Sequence, residues 1–267
     1  MSRIAHLSDL HFGRTDPRVV AGLLADLRAL RPDLVAVSGD LTQRARRSEF
    51  VAARAFLDQL PAPWLAVPGN HDIPLHNVAR RLGWPLHRFR AAIAPEPLPK
   101  HADGQVAALG LNTAWHLVWK GGRVTPLQVA AVRHWSAQQG GRLRIVVAHH
   151  PFSPPAGGRG HSLVRGWQPA LLAMEEAGVD IVLTGHHHIA GRSESRAHAV
   201  DGPHRVVLVG AGTATSVRVR GEPNSYNLLH AAPGRLRVER RDWDGQRFGT
   251  AEEQEYVGWQ ALPDRSA

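Results

Sequence analysis

The 267-residue chain contains no cysteine. Disulfides and thiolate metal sites are therefore excluded, and any bound metal must be held by nitrogen and oxygen. Lysine is scarce as well: of the 32 lysines and arginines, only Lys100 and Lys120 are lysine. No apolar run approaches the length of a membrane span. The first one lies between Arg3 and Asp9 and reads as a short strand rather than a signal peptide. A soluble cytoplasmic protein is the expectation. Internal repeats are lacking, and no linker forces a division into two domains.

What is present is ordinary for a globular protein: 43% hydrophobic and 21% charged residues. The length suits one large domain, placed at residues 1–250 with a polar tail at 251–267. The net charge of +9 invites a nucleic-acid reading. The arginines are spread along the chain, however, so a solvated surface, or a site that handles anionic phosphates, accounts for them without nucleic acid.

Strands and helices alternate from the start. Residues 4–8 read as a strand, 18–30 as a helix with Val19, Leu23, Leu27 and Leu30 on one face, and 34–38 as a near-continuously apolar strand. A second helix spans 48–60 with Ser48 as its cap, and a third strand, 64–67, stops at Pro68-Gly69. Residues 76–100 are expected to form a helix and loop covering the site. Strand character resumes at 106–112, 143–148 and 180–184, with helices at 125–138 and 168–177. The Pro- and Gly-rich segment 151–166 reads as a surface loop. Short strands follow at 191–200, 205–210, 224–231 and 235–242, with turns at Asp201-Gly202 and Pro233-Gly234. These late strands are expected to form a second sheet packed on the first.

Each strand before residue 190 that ends in a polar cluster ends in a notable one: Asp9-Leu10-His11, Gly39-Asp40, Gly69-Asn70-His71-Asp72, His149-His150 and Gly185-His186-His187-His188. Parallel strands deliver their C-terminal ends to one edge of a sheet, where α/β proteins bind ligands. Carboxylate, amide and imidazole donors at such an edge suit a pair of hard or borderline divalent ions, and two ions need one shared anionic ligand. Asp40 is the natural bridge. Asp9, His11 and a late histidine complete one site; Asn70, His149 and another late histidine complete the other. A water or hydroxide between the ions would attack a phosphoryl group in line, with His71 giving a proton to the leaving oxygen. Singly each motif has a bland reading as a turn or cap; five in this order do not.

In order and in kind these motifs resemble those of the calcineurin-like metallophosphoesterases, over residues 4 to about 231. The resemblance implies a four-layer α/β/β/α sandwich, two mixed sheets flanked by helices. It assigns His186 to the site of Asn70 and His149, and His188 to the site of Asp9 and His11. Along an extended segment His187 would face away from both, so it is left out of the metal set as a second-layer or surface group, as is His150. Asp72 is expected to orient His71 or pair with an arginine. Residues 68–74 and Ala211-Gly212-Thr213-Ala214-Thr215 look like the class III cyclic-nucleotide and glycerophosphodiester phosphodiesterases, in which these two loops flank the substrate pocket.

The expected function is a phosphodiesterase for a small substrate such as a 3',5'-cyclic nucleotide, with Asn70, His71 and His76 touching it and Asn112 and Arg218 shaping the pocket. Two divalent cations are implied, Mn or Fe first, then Zn, Mg or Ni. A lipid phosphohydrolase in peripheral contact with a membrane is the alternative. A nuclease is a further alternative, although nucleic acid is not the favoured partner; a scaffold is not favoured, because every ligand position is filled. The late β region is where a homodimer contact would be placed.

Overall fold

The structure is a computed structural model that describes residues 1–154, 163–195, 204–232 and 234–259. Two six-stranded mixed sheets face each other. The first contains strands β1 (Ser2–Leu7), β2 (Leu34–Val37), β3 (Trp64–Ala66), β10 (Ser225–Ala232), β11 (Gly234–Trp243) and β12 (Phe248–Trp259), in the order β12-β11-β10-β1-β2-β3. The second contains β4 (Lys100–Ala102), β5 (Val106–Leu111), β6 (Leu143–Ala148), β7 (Ile181–Thr184), β8 (Gly191–Glu194) and β9 (Val207–Gly210), in the order β4-β5-β6-β7-β9-β8. β1, β2 and β3 run parallel, as do β5, β6, β7 and β9, so two sets of strand ends open on the site.

Strand alternation builds the layers. Ile4, Leu34, Ala36, Ile145, Val147, Ile181 and Leu183 point inward and fill the space between the sheets. Ala5, Leu7, Val35 and Val37 point the other way, onto helices α1 (Pro17–Leu30) and α2 (Arg47–Leu57). Val146, Ala148 and Val182 point toward α5 (Pro126–Ser136) and α6 (Trp167–Glu176) on the far side. With both faces covered, the parallel strands read as continuous apolar runs rather than alternating ones.

Several local expectations are corrected. α2 starts one residue before Ser48; Glu49 caps it by accepting from the backbone N–H groups of Arg44 (2.8 Å) and Arg46 (3.1 Å). The late strands do not make a sheet of their own. β8 and β9 extend the second sheet, while β10–β12 extend the first through β10 on β1, pairing Ile4 with Leu229. β12 carries the first sheet through residues 251–259, which are therefore strand rather than tail; the remainder of the expected tail lies outside the described residues, as does Asp201-Gly202. The middle segment forms α3 (Val78–Gly83), α4 (His87–Ala92) and the edge strand β4, and Leu86, Phe89 and Ile93 join the core under α2 instead of covering the site.

Candidate metal centre

The loops after β1 and β2 stay hydrogen-bonded beyond the strands: Asp9 N–H to Gly39 O (3.1 Å), His11 N–H to Asp40 O (2.9 Å) and Phe12 N–H to Leu41 O (2.8 Å). That coupled pair of turns places Asp9, His11 and Asp40 at positive φ, 51° each. His186 (77°) and His188 (59°) adopt the same left-handed region after β7. Such backbone is uncommon for non-glycine residues and concentrates where side chains must be aimed. It also replaces the extended-segment argument for the three consecutive histidines. His186 and His188 come together because the chain turns at both, and His187 between them is buried rather than at the surface.

The seven expected ligands converge, drawn from both sheets. Asp9 Oδ1 faces His188 Nε2 at 3.1 Å and His11 Nε2 at 3.5 Å. Across the cluster, His149 Nε2 lies 3.2 Å from Asn70 Oδ1 and 3.2 Å from His186 Nδ1. Asp40 stands between: its Oδ2 is 3.8 Å from His11 Nε2 and 3.4 Å from His149 Nε2. The ligand atoms of Asp9, His11 and His188 form one group, those of Asp9, Asp40 and His149 another, and within each group all lie within 4.8 Å of one another.

The donor pattern tests whether cations fit. His188 Nδ1 is 2.9 Å from the Arg218 carbonyl and His149 Nδ1 is 2.8 Å from the Ser38 carbonyl. A carbonyl only accepts, so both Nδ1 atoms carry a proton and both Nε2 atoms face the centre, where each presents a lone pair whenever its ring is neutral. Asp9 Oδ1 is buried and accepts no hydrogen bond. Lone pairs of oxygen and nitrogen at 3.1–3.5 Å repel unless a proton or cation lies among them, and this is the arrangement of divalent-metal ligands oriented by carbonyls behind them. The residues fit the ions.

Charge within the cluster follows. Burial alone would raise Asp40, but His149 beside it holds the carboxyl well below the usual carboxylate range; Asp9 is likewise depressed against burial, chiefly by His188. Burial would lower His149, yet the Asp40 carboxylate outweighs it and lifts the imidazole to about 9. His186 is pushed down to about 3 by burial and by His149.

Around the ligands sits a hydrogen-bonded frame. Ser8 Oγ donates to Asp9 Oδ2 (2.7 Å), as does His186 N–H (2.9 Å). From the loop after β9, Thr213 and Thr215 hydroxyls donate to the carbonyls of Asp9 (2.7 Å) and Leu10 (2.8 Å), so this loop buttresses the Asp-x-His turn. Asp72 neither orients His71 nor pairs with arginine. Its carboxylate accepts from Leu41 N–H, Thr42 N–H, Thr42 Oγ1 and Gly69 N–H, locking the loop after β3 to the loop after β2. Burial and the nearby Asp40 charge raise it to about 6. Two motif glycines are required by contact: a Cβ on Gly69 would meet Asp40 Oδ1, and one on Gly185 would meet Ser8 Oγ and Asp9 Oδ2.

His71 lies at the open side, its ring edge-on to His11 with centroids 4.8 Å apart. Its N–H donates to Asp40 Oδ1 (2.8 Å), its Nδ1 faces the Gln43 carbonyl (2.8 Å), and its Nε2 faces Arg218 Nη1 at 3.3 Å. His76 is exposed on the rim, where Arg44 Nη1 reaches its Nε2 at 2.6 Å. Asn112 does not line the opening; its side chain caps the Ala114 N–H and its carbonyl binds Gln128. His150 takes a hydrogen bond with Thr113 Oγ1 (2.9 Å), its ring 4.7 Å from that of His186.

Comparison with known proteins agrees with this geometry. Residues 2–190 match the calcineurin-like phosphoesterase family. The chain is 38% identical over 80 residues to the glycerophosphodiester phosphodiesterase GpdQ of Enterobacter lignolyticus, covering 26% of this chain and 29% of that protein. It is 28% identical over 121 residues to a probable cyclic nucleotide phosphodiesterase of Synechococcus, covering 39% of this chain and 47% of that one. The chain thus matches less than half the length of either relative. Among solved structures, a purple acid phosphatase from yellow lupin superposes with a TM-score of 0.69 at 13% identity, over 96% of this chain and 53% of that one. Vps29 from Cryptosporidium parvum superposes at 0.51 and 15% identity, over 96% and 98%. At such identities the structures speak for the fold. The chain belongs to the calcineurin-like phosphoesterase family.

Proposed function

We propose that this calcineurin-like phosphoesterase is a cytoplasmic, dinuclear metal-dependent hydrolase of phosphodiesters. The observation that carries the reading is Asp40 Oδ2, a single carboxylate oxygen facing His11 on one side and His149 on the other. Asp9, His11 and His188 would hold one ion with Asp40; Asn70, His149 and His186 would hold the second. Bound divalent ions supply Lewis acidity toward a phosphoryl oxygen and lower the pKa of a water. In the displacement, a water oxygen forms the new P–O bond as the P–O bond to the leaving group breaks. His71 would give a proton to the departing oxygen from Nε2 once that nitrogen is protonated and released by Arg218 Nη1, which donates to it at 3.3 Å. The chain holds His71 for this by pinning its backbone to Asp40 and its Nδ1 to Gln43.

The all-N/O ligand set accepts Mn or Fe first, and Zn, Mg or Ni as well. The names of the two curated relatives support glycerophosphodiesters and cyclic nucleotides as substrates to try. The test is hydrolysis of bis(p-nitrophenyl) phosphate, lost on chelation and restored by Mn²⁺, followed by cAMP, cGMP, glycerophosphodiesters, lipid-linked pyrophosphates and single-stranded DNA at fixed Mn²⁺. Folded, metal-reconstituted protein that cleaves no diester or monoester would overturn the reading.

A second reading, a phosphoester presented at a membrane surface, rests on exposed apolar side chains of α3 and the 115–121 loop. No helix among the described residues is long and apolar enough to cross a membrane. Val78, Leu82, Trp84, Leu117 and Trp119 are nevertheless all more than half exposed. The Arg81 guanidinium stacks 4.7 Å over Trp119 and ties α3 to the 115–121 loop. Arg47, Arg80 and Arg88 line the adjoining groove. Apolar tips among arginines suit an anionic lipid surface. Co-sedimentation with phosphatidylglycerol vesicles, but not phosphatidylcholine vesicles, supports it; no binding to either removes it.

A further inference from the structure

Beside His71 lies a cavity of about 320 Å³ lined by Arg14, Gln43, Arg44, His71, Leu75 and Arg218. Its three arginines come from three separate loops: after β1, after β2 and after β9. Elsewhere in the chain arginines meet acids, as Arg241 meets Asp26 and Arg192 meets Glu252. Among the described residues no carboxylate comes within ion-pair reach of Arg14, Arg44 or Arg218. Arg44 and Arg218 donate instead to the imidazoles of His76 and His71. These contacts satisfy an N–H but leave the guanidinium charge uncompensated. Arg14 and Arg44 are exposed and Arg218 is half-buried, so forming this cluster costs little desolvation and leaves its forks open to a ligand.

We infer that this cavity binds a second anionic group of the substrate, a phosphate carried by the leaving alcohol. The proposal deepens the phosphodiesterase reading and rests on it. A diester's reacting phosphoryl group carries one negative charge, which the metal centre takes. Three further cations would be excess for a substrate with no other charge. His71, the residue placed to protonate the leaving oxygen, forms one wall of the cavity, so the cavity lies on the leaving-group side. Guanidinium groups match phosphate geometry with paired N–H donors, and the volume suits a group of phosphate size with part of its carbon chain. A 3',5'-cyclic nucleotide leaves the cavity unused, because its leaving oxygen belongs to an uncharged sugar. The substrate class is therefore a diester whose departing half is itself phosphorylated.

The test uses non-hydrolysable probes on the Mn²⁺-loaded protein. Alkane α,ω-bisphosphonates with spacers of about two to five carbons are compared by calorimetry with alkylphosphonates of equal length, since affinity peaks when the linker matches the span. The best bisphosphonate is expected to bind about tenfold tighter than its monophosphonate. In an Arg14→Ala/Arg44→Ala variant that preference should fall to about twofold or less. The Arg14→Lys/Arg44→Lys variant should keep part of it, and circular dichroism checks that each variant folds. Equal affinities at every spacer length would overturn the inference. So would a preference that survives in the alanine variant, because the second phosphonate would then lie on the metals. A single-stranded oligonucleotide that binds more tightly still, and loses binding in the same variant, would reassign the cavity to nucleic acid. Bis(p-nitrophenyl) phosphate hydrolysis measured on the same samples reports separately on the phosphodiesterase reading: its loss with the phosphonate preference intact breaks the reading and not the cavity.

Discussion

The two sheets contribute unlike halves of the centre. The first supplies both carboxylates and the amide, Asp9, Asp40 and Asn70, together with His11; the second supplies only imidazoles, His149, His186 and His188. Buried carboxylates are costly without a counter-charge, and the imidazoles that meet them arrive from across the inter-sheet core. The first sheet therefore carries the charge that would attract cations, and the second would complete their coordination. The difference teaches that losing a ligand from one side is not equivalent to losing one from the other.

Asp40→Asn is the severest way to break that asymmetry. Its Oδ2 faces both halves, so the variant should lose both ions as measured by elemental analysis. Diesterase turnover should fall on the order of 10³-fold or more, since metal stabilisation of the transition state is worth several kcal/mol. Retention of two ions per chain with full turnover would remove Asp40 as the bridge.

His186→Ala probes the other sheet and should cost less. Asp9, His11, His188 and Asp40 remain, so one ion per chain should persist, with turnover lowered by about 10²-fold. If metal content instead falls as far as in Asp40→Asn, the halves are one cooperative unit and the comparison fails.

Gly185→Ala tests how tightly the second sheet's turn is pressed on the first sheet's ligand. The added Cβ would meet Ser8 Oγ and Asp9 Oδ2, and overpacking of this kind costs about 1–3 kcal/mol. For a chain of this size the melting temperature should drop by roughly 2–12 °C. Because Ser8 Oγ is one of the atoms struck, a Ser8→Ala/Gly185→Ala double variant should recover part of the loss. No drop in the single variant would mean that the turn is slack.

These contrasts also mark what a sequence can disclose. The βαβαβ start was legible because apolar periods of 3.6 alternate with short continuous runs, and the candidate ligands stood out because each ends such a run. Sheet membership of the late strands was not, since a pattern shows which face of β10 is apolar and not that its partner is β1, more than 200 residues away. The left-handed backbone at Asp9, His11, Asp40, His186 and His188 was equally silent, because none is glycine. Alternation along an extended chain placed His186 and His188 together for a reason the turn does not use. Asp72 was misjudged because three of its four donors lie on the loop after β2 and only Gly69 on its own. The arginine cavity draws on three loops, and of its arginines only Arg218 could be picked from the sequence, because nothing in the pattern distinguishes Arg14 or Arg44 from the other exposed arginines.

The smallest effect concerns the metal-free protein, where a proton takes the place of a cation between the two sheets. His149 stands at about 9, above the roughly 6.5 of an unfolded imidazole. A raised pKa contributes stability in full below about pH 6.5 and loses it as pH rises through about 9. His186, pushed down to about 3, works in the opposite sense, but only below about pH 6.5, because above it the ring is neutral whether folded or not. Asp9 and Asp40, both depressed, are ionised throughout that range. The interval above about pH 6.5 thus reports the protonated His149–Asp40 contact together with that of His188 with Asp9, whose imidazole is likewise raised against burial. With chelator, the melting temperature should fall by a few degrees across it; with saturating Mn²⁺ it should stay level, since a ligated imidazole has no proton to lose. Parallel slopes with and without metal would place the titration outside the centre and leave the two sheets joined there by something other than charge.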